Sequence, residues 1–318
     1  VRLGGFLGFL VSTAAHALPS PLLGPEGPLW IGPHPPDSNT EEVLGREWIL
    51  ADPESGQLHI ERRDLAQDRG APLDITRRYK DGAWRFSFQR SLQEEARRVR
   101  VTGTKQPLEF IKPGPPGEPV IIGSLLESSG ATLQRTPEGW ILTLNEESWQ
   151  FDPQGALVLM SDPRGRTVNF DWADGRLDTI SGPGERTIQV RHDANGEITV
   201  LESAGGISCY YERRDRRLIG ARCTDGERSR YVYTSQGALR SILWADSSSV
   251  HIRYTTKGQV RSFHGPGLKQ LSLVWRDNGL DLVEGNGANT QVRWKPTGGY
   301  EITGPQGQKV AVHTDDGR

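Results

Sequence analysis

Two cysteines, seven histidines and 40 Asp and Glu side chains are among the groups of this chain able to bind metals, attack bonds or move protons. The histidines (His16, His34, His59, His192, His251, His264, His313) fall at no His-x-x-x-His or Glu-x-x-His spacing, the arrangement that puts two ligands on one helical face. No Gly-x-Ser-x-Gly elbow, phosphate-binding loop or dinucleotide fingerprint is present. Carboxylates adjacent in sequence, such as Glu94-Glu95 and Asp315-Asp316, would point to opposite faces of a strand and could not converge as an acid/base pair. A hydrolase would need two convergent acids in a cleft, and nothing in the spacing supplies them. The expectation is a protein that is not an enzyme, with no catalytic, cofactor-binding or metal site and no cofactor.

Cys209 and Cys223 could form a disulfide. Their midpoint falls in Arg214-Asp215-Arg216-Arg217, a turn-forming segment, so a hairpin folding there would set the thiols opposite each other. A slip of one residue in register would turn them to different faces, and two separate thiols remain the alternative.

Such residues must be positioned by strands. The 38 Gly and 21 Pro are many for a helical protein, and nine Trp stand against one Met, a balance that fits short strands joined by tight turns. The formal charge of -2 offers no chain-wide basic field to recruit nucleic acid. Arg-rich groups (Arg97-Arg98-Val99-Arg100; Arg213, Arg214, Arg216, Arg217) read as exposed faces and turn tips.

At the N-terminus, Arg2 precedes the apolar run Leu3 to Ala15, followed by Ala15-His16-Ala17, a small-x-small pattern suited to signal peptidase. The run is about 13 residues, whereas a helix spanning the bilayer needs about 20. Residues 1–17 are expected to be a bacterial Sec-type signal peptide cleaved after Ala17, leaving no transmembrane anchor and a secreted, periplasmic or cell-surface product. Residues 18–40 read as a Pro/Gly-rich linker, 41–147 as a β-rich first region and 148–318 as hairpin repeats. Lys112 to Pro119, dense in proline, is expected to be a surface loop.

The repeats are visible as an aromatic or His with Gly four residues on: Phe151/Gly155, His192/Gly196, Tyr233/Gly237, Tyr254/Gly258, Trp275/Gly279, Trp294/Gly298 and His313/Gly317. Successive members are 19 to 21 residues apart, or 41 where one unit is degenerate. Imperfect copies fill those gaps, one carrying Trp172 and Gly175, the other running from Tyr210 to Leu218. A fixed period near 20 marks units that stack on their neighbours. In one unit, Tyr231 and Tyr233 share a face because side chains alternate, and Gly237 turns the chain. The predicted fold is all-β, an antiparallel repeat sheet of stacked hairpins bearing an aromatic ladder, with a β-rich N-terminal region.

These units resemble the RHS/YD repeat, an aromatic, Asp, two variable residues and Gly-Arg-Leu or a variant. Phe151-Asp152-Pro153-Gln154-Gly155-Ala156-Leu157 and His192-Asp193-Ala194-Asn195-Gly196-Glu197-Ile198 match it well, while the Asp is missing after Tyr233, Tyr254, Trp275 and Trp294. Upstream, Asp52-Pro53-Glu54-Ser55-Gly56, Asp64-Leu65, Gly70-Ala71-Pro72-Leu73, Arg78-Tyr79 and Trp84 are similar to the segment that precedes the repeats in bacterial RHS proteins. The resemblance implies part of a spiralling β-shell, related to the shells of toxin complexes, with a toxin domain or partner protein as its associate. About nine units are too few to close a full shell, so the sheet is expected to be a truncated reading frame or to be capped by its first region or a partner. The function implied is structural, toward toxin encapsulation or cell-surface interaction. The alternative is an exported module binding cell-surface carbohydrate or protein in adhesion.

Overall fold

A computed structural model describes residues 48–52, 55–65, 75–80, 82–103, 108–111, 121–123, 131–144, 146–184, 186–265, 270–295 and 300–312. The leader, the linker, the proline-dense 112–119 segment, Gly70 to Leu73, Gly298, His313 and Gly317 lie outside these residues. Every described element is a strand, and every pairing is antiparallel.

The first region makes two small sheets. One has the order β1-β2-β3-β4, from Trp48–Ala51, Leu58–Leu65, Ile75–Lys80 and Ala83–Phe86. The other is β5-β6-β7, from Ser91–Glu94, Arg98–Thr102 and Leu108–Ile111. The remaining strands form one sheet. It comprises β8 (Ile121–Gly123), β9 (Thr132–Thr136), β10 (Gly139–Leu144), β11 (Glu147–Phe151), β12 (Leu157–Ser161), β13 (Thr167–Ala173), β14 (Arg176–Gly182), β15 (Arg186–His192), β16 (Ile198–Ser203) and β17 (Ser208–Arg214). It continues through β18 (Arg217–Cys223), β19 (Arg228–Tyr233), β20 (Leu239–Trp244), β21 (Ser249–Tyr254), β22 (Val260–His264), β23 (Leu271–Arg276), β24 (Gly279–Glu284), β25 (Asn289–Trp294), β26 (Tyr300–Thr303) and β27 (Lys309–Val312).

Period-2 patterning explains these strands. In β15, Ile188 and Val190 are buried while Gln189 and Arg191 are exposed, so one face packs and the other meets water. Sequence neighbours pair throughout, and the order closes into a barrel as β27 comes round to β8. The sheet closes on itself, where about nine units were expected to be too few to close a full shell. Strands β8 to β10, from the segment read as the separate first region, extend the wall, so pairing crosses residue 147 without a break.

Curvature comes from a bulge repeated at the aromatic position. The register shifts at Phe151, Trp172, His192, Arg213, Tyr233 and Tyr254, each time with one unpaired residue on the returning strand. A bulge bends its strand and raises the local twist, and a series of them at one level curls the wall in one sense. The pairing of Trp275 with Leu280 and of Trp294 with Tyr300 has no such shift, and there the glycines follow at the shorter spacing of 19.

The sheet β1–β4 lies against the inner face of the wall. Trp84 packs on Tyr231 with ring centroids 4.8 Å apart, Phe86 meets Tyr211 edge-on at 4.9 Å, and the Tyr79 hydroxyl accepts from the Leu239 amide. The sheet β5–β7 joins nearby, where Leu92 N donates to Gly155 O and Ser91 bridges to Ala156. The first region thus covers part of the inner face of the wall.

Candidate functional site

Among the buried residues, the polar ones concentrate where β2 and β3 meet β17 and β19. Alternation in β2 and β3 turns Arg62, Asp64 and Arg77 toward the wall, and all three are buried. Arg77 is fully buried; its Nε and Nη2 donate to the two Asp64 oxygens at 2.9 and 3.1 Å, and its Nη1 donates to Tyr231 Oη at 2.7 Å. The Tyr211 hydroxyl donates to Asp64 Oδ2 at 2.7 Å. Arg62 Nη1 donates to Ser229 Oγ at 2.8 Å, and its Nε stands 3.3 Å from Asp64. Three rings surround the Arg77 guanidinium, those of Trp84, Tyr231 and Tyr211, at 4.8, 5.4 and 5.6 Å.

A charge removed from water is tolerated only when paired and hydrogen-bonded. Burial works to pull the Arg77 pKa down, yet the Asp64 carboxylate and the facing tyrosine hydroxyls hold it well above the usual value. Burial and Asp64 push the Tyr211 hydroxyl up, so it stays a protonated donor. Every participant is committed to a partner. The cluster therefore joins the inner sheet to the wall.

Cys209 and Cys223 face each other across β17 and β18 and are joined by a disulfide, which resolves the two alternatives left open by the sequence. Both sulfurs border the Asp64 carbonyl oxygen, at 3.4 and 3.9 Å. The bond closes a loop spanning 14 residues beside the ionic cluster. Replacing both cysteines with alanine should lower stability by about 3 kcal/mol, the loop-closure value for such a span, as measured by urea denaturation.

The repeat aromatics occupy the rim, half in and half out of the core. Phe151 is buried; His192, Tyr233, Tyr254, Trp275 and Trp294 are half-buried, and Trp172 is 41 % exposed. Four of them make one bond in common, to a carbonyl on the preceding strand 15 residues back. Trp172 Nε1 donates to Leu157 O, the Tyr233 hydroxyl to Leu218 O, the Tyr254 hydroxyl to Leu239 O, and Trp275 Nε1 to Val260 O, at 2.6 to 2.8 Å. Tyr233 also accepts from Trp84 Nε1 at 3.0 Å, and burial raises its pKa to about 12. Burial, with Arg176 beside it, lowers the His192 pKa, so the ring is neutral at its half-buried position. Tyr231, further from the rim, is buried against Trp84.

Glycines at the repeat turns have two different uses. Gly155, Gly175, Gly196, Gly237 and Gly258 hold positive φ, from 72° to 92°. Gly279 does not; it opens β24, and a Cβ there would overlap the carbonyl oxygen of Val292. The turn after Arg214 manages without glycine, since Asp215 and Arg216 take φ of 50° and 63°. Turns at the opposite rim, at Gly165, Gly184, Gly206, Gly226, Gly287 and Gly307, carry no flanking aromatic and went unread.

Neither a family model nor a curated protein matches the sequence. Solved structures do. The crystal structure of TcdB2-TccC3-Cdc42 is 13% identical over 80% of this chain, with a TM-score of 0.38. The Photorhabdus luminescens Tc holotoxin pore with the TccC3-D651A mutation is 13% identical over 80%, with a TM-score of 0.41. The crystal structure of TcdB2-TccC3 is 12% identical over 83%, with a TM-score of 0.37. This chain spans 15 to 16% of the length of those chains.

The sequence had no means of indicating the Arg77–Asp64 cluster as a unit. Its residues are scattered from 62 to 231, and in the linear reading Arg77 was one of many arginines.

Proposed function

We propose that the chain is an exported structural protein, part of a β-shell used in toxin encapsulation or cell-surface interaction, with no reaction of its own. The observation that carries this reading is the use to which its interior is put. The first region packs on the inner face of the barrel, and the Arg77–Asp64 cluster ties it to the wall there. The likeness of its repeats to RHS/YD units and its apolar leader point the same way. A toxin domain or partner protein would meet the rims or adjoining repeats, the inner face being taken by β1–β4.

An adhesive module binding carbohydrate would use a continuous exposed aromatic platform. Among the described residues, the exposed large apolar side chains Ile111, Trp172, Tyr210, Val232, Leu243 and Val274 lie on six strands, and only two of them are aromatic, which favours the structural reading.

The test is to express the chain from its own N-terminus in a bacterium with a Sec pathway, and to sequence the start of the product. Recovery outside the cytoplasm, beginning at Leu18 and with Cys209 and Cys223 oxidised, is the expected result. Retention in the cytoplasm with the leader intact overturns export. Turnover of polysaccharide or peptide substrates by the purified chain overturns the non-catalytic role.

A further inference from the structure

On the outer face of the wall, β21 and β22 bring together two histidines that linear spacing keeps apart. His251 pairs directly with His264 across the strands. Ile252 and Phe263, the next pair along, are buried, so alternation turns both imidazoles away from the core, where they are half-buried. Their ring centroids are 5.1 Å apart and their planes are inclined by 34°.

We propose that His251 and His264 form a two-imidazole site for a borderline divalent transition-metal ion of the Zn2+, Ni2+ or Cu2+ class. The first support is the separation. With a metal–nitrogen distance of about 2.0–2.1 Å and each nitrogen about 1.1 Å from its ring centroid, each centroid stands about 3.2 Å from the ion. Centroids 5.1 Å apart then subtend about 106° at the metal, close to a tetrahedral angle.

The second support is the bond behind one ligand. His251 Nδ1 lies 2.8 Å from Ser241 Oγ, and Ser241 sits opposite His251 on β20. If Nδ1–H donates to that hydroxyl, Nε2 keeps its lone pair, which faces Ser249 Oγ at 3.5 Å, a long contact that a metal ion would displace. Metal-binding imidazoles are oriented by such an outer hydrogen bond. Ser241, almost entirely buried, holds its hydroxyl in place. His264 makes no hydrogen bond among the described residues, so its nitrogens are available.

These two imidazoles would be the protein ligands, and water would complete the coordination sphere. Arg253, two residues along the same face, works against a cation. Both facts place the site in the exchangeable class rather than the structural one, with Cu2+ held most tightly by the ordinary order of divalent affinities.

The test is a Zn2+ titration of the full chain against a chromophoric chelator, with the imidazole resonances followed by NMR. The expected result is a bound ion that shifts His251 and His264 together. His251→Gln and His264→Gln should each weaken binding at least tenfold with the denaturation midpoint unchanged, and Ser241→Ala should weaken it less. His192→Gln, at the opposite rim, should change nothing. If Zn2+ fails to move these two resonances together, or binds equally well after both substitutions, the pair is a packing contact and the site is refuted.

Discussion

Replacing Arg77 with alanine should destabilise the chain by about 3–5 kcal/mol in a urea titration, the range for breaking one partner out of a buried ion pair. The size follows from what remains. Asp64 would lose both Arg77 donors and keep only the Arg62 Nε at 3.3 Å and the Tyr211 hydroxyl. The Tyr231 hydroxyl loses the Nη1 donor, and three rings lose the flat cation between them. Since the cluster fastens β2 and β3 to β17 and β19, the loss should also expose the inner sheet to proteases. The combined replacement Arg77→Met with Asp64→Leu removes both charges of that pair and should recover part of the stability, with Arg62 left to Ser229 and to Glu227 at 3.6 Å. A loss under about 1 kcal/mol for Arg77→Ala would mean that the first region does not hold the wall.

Gly155→Val should cost about 3–5 kcal/mol, whereas Gly258→Val should cost only about 1–3 kcal/mol. Both glycines hold similar positive φ, 85° and 82°, so backbone strain is common to the two. The surroundings differ. A Cβ at Gly258 meets nothing within 4 Å, while one at Gly155 would overlap the carbonyl oxygen of Leu92. That carbonyl belongs to the strand whose amide donates back to Gly155 O, so relief requires β5 to leave the wall. Chevron or equilibrium denaturation of the two variants gives the comparison, and equal losses would show that φ alone selects glycine here.

Much of the wall was legible because its information is local. A Gly needed for positive φ, an aromatic four residues earlier and alternating polarity are all written within a dozen residues, and their recurrence announces the repeat. The hairpin bearing Cys209 and Cys223 could be anticipated for the same reason. Bulges were not legible, because an unpaired residue such as Arg240 differs in no local way from a paired one. The turns at the opposite rim lacked an aromatic flag and passed as ordinary glycines. Gly279 carried the repeat spacing for a reason of its own, the near approach of the strand bearing Val292.

The sequence by itself determined the all-β class, the hairpin period and, among the described residues, the turns at Gly155, Gly175, Gly196, Gly237 and Gly258, since each depends on residues near one another along the chain. Only the tertiary structure decided that the sheet closes, that β1–β4 packs on its inner face, and that Arg77, Asp64, Tyr211 and Tyr231 share one buried cluster. It alone set His251 beside His264. Those outcomes depend on register and on which surfaces are removed from water together, and such pairings between distant residues leave no spacing to be read.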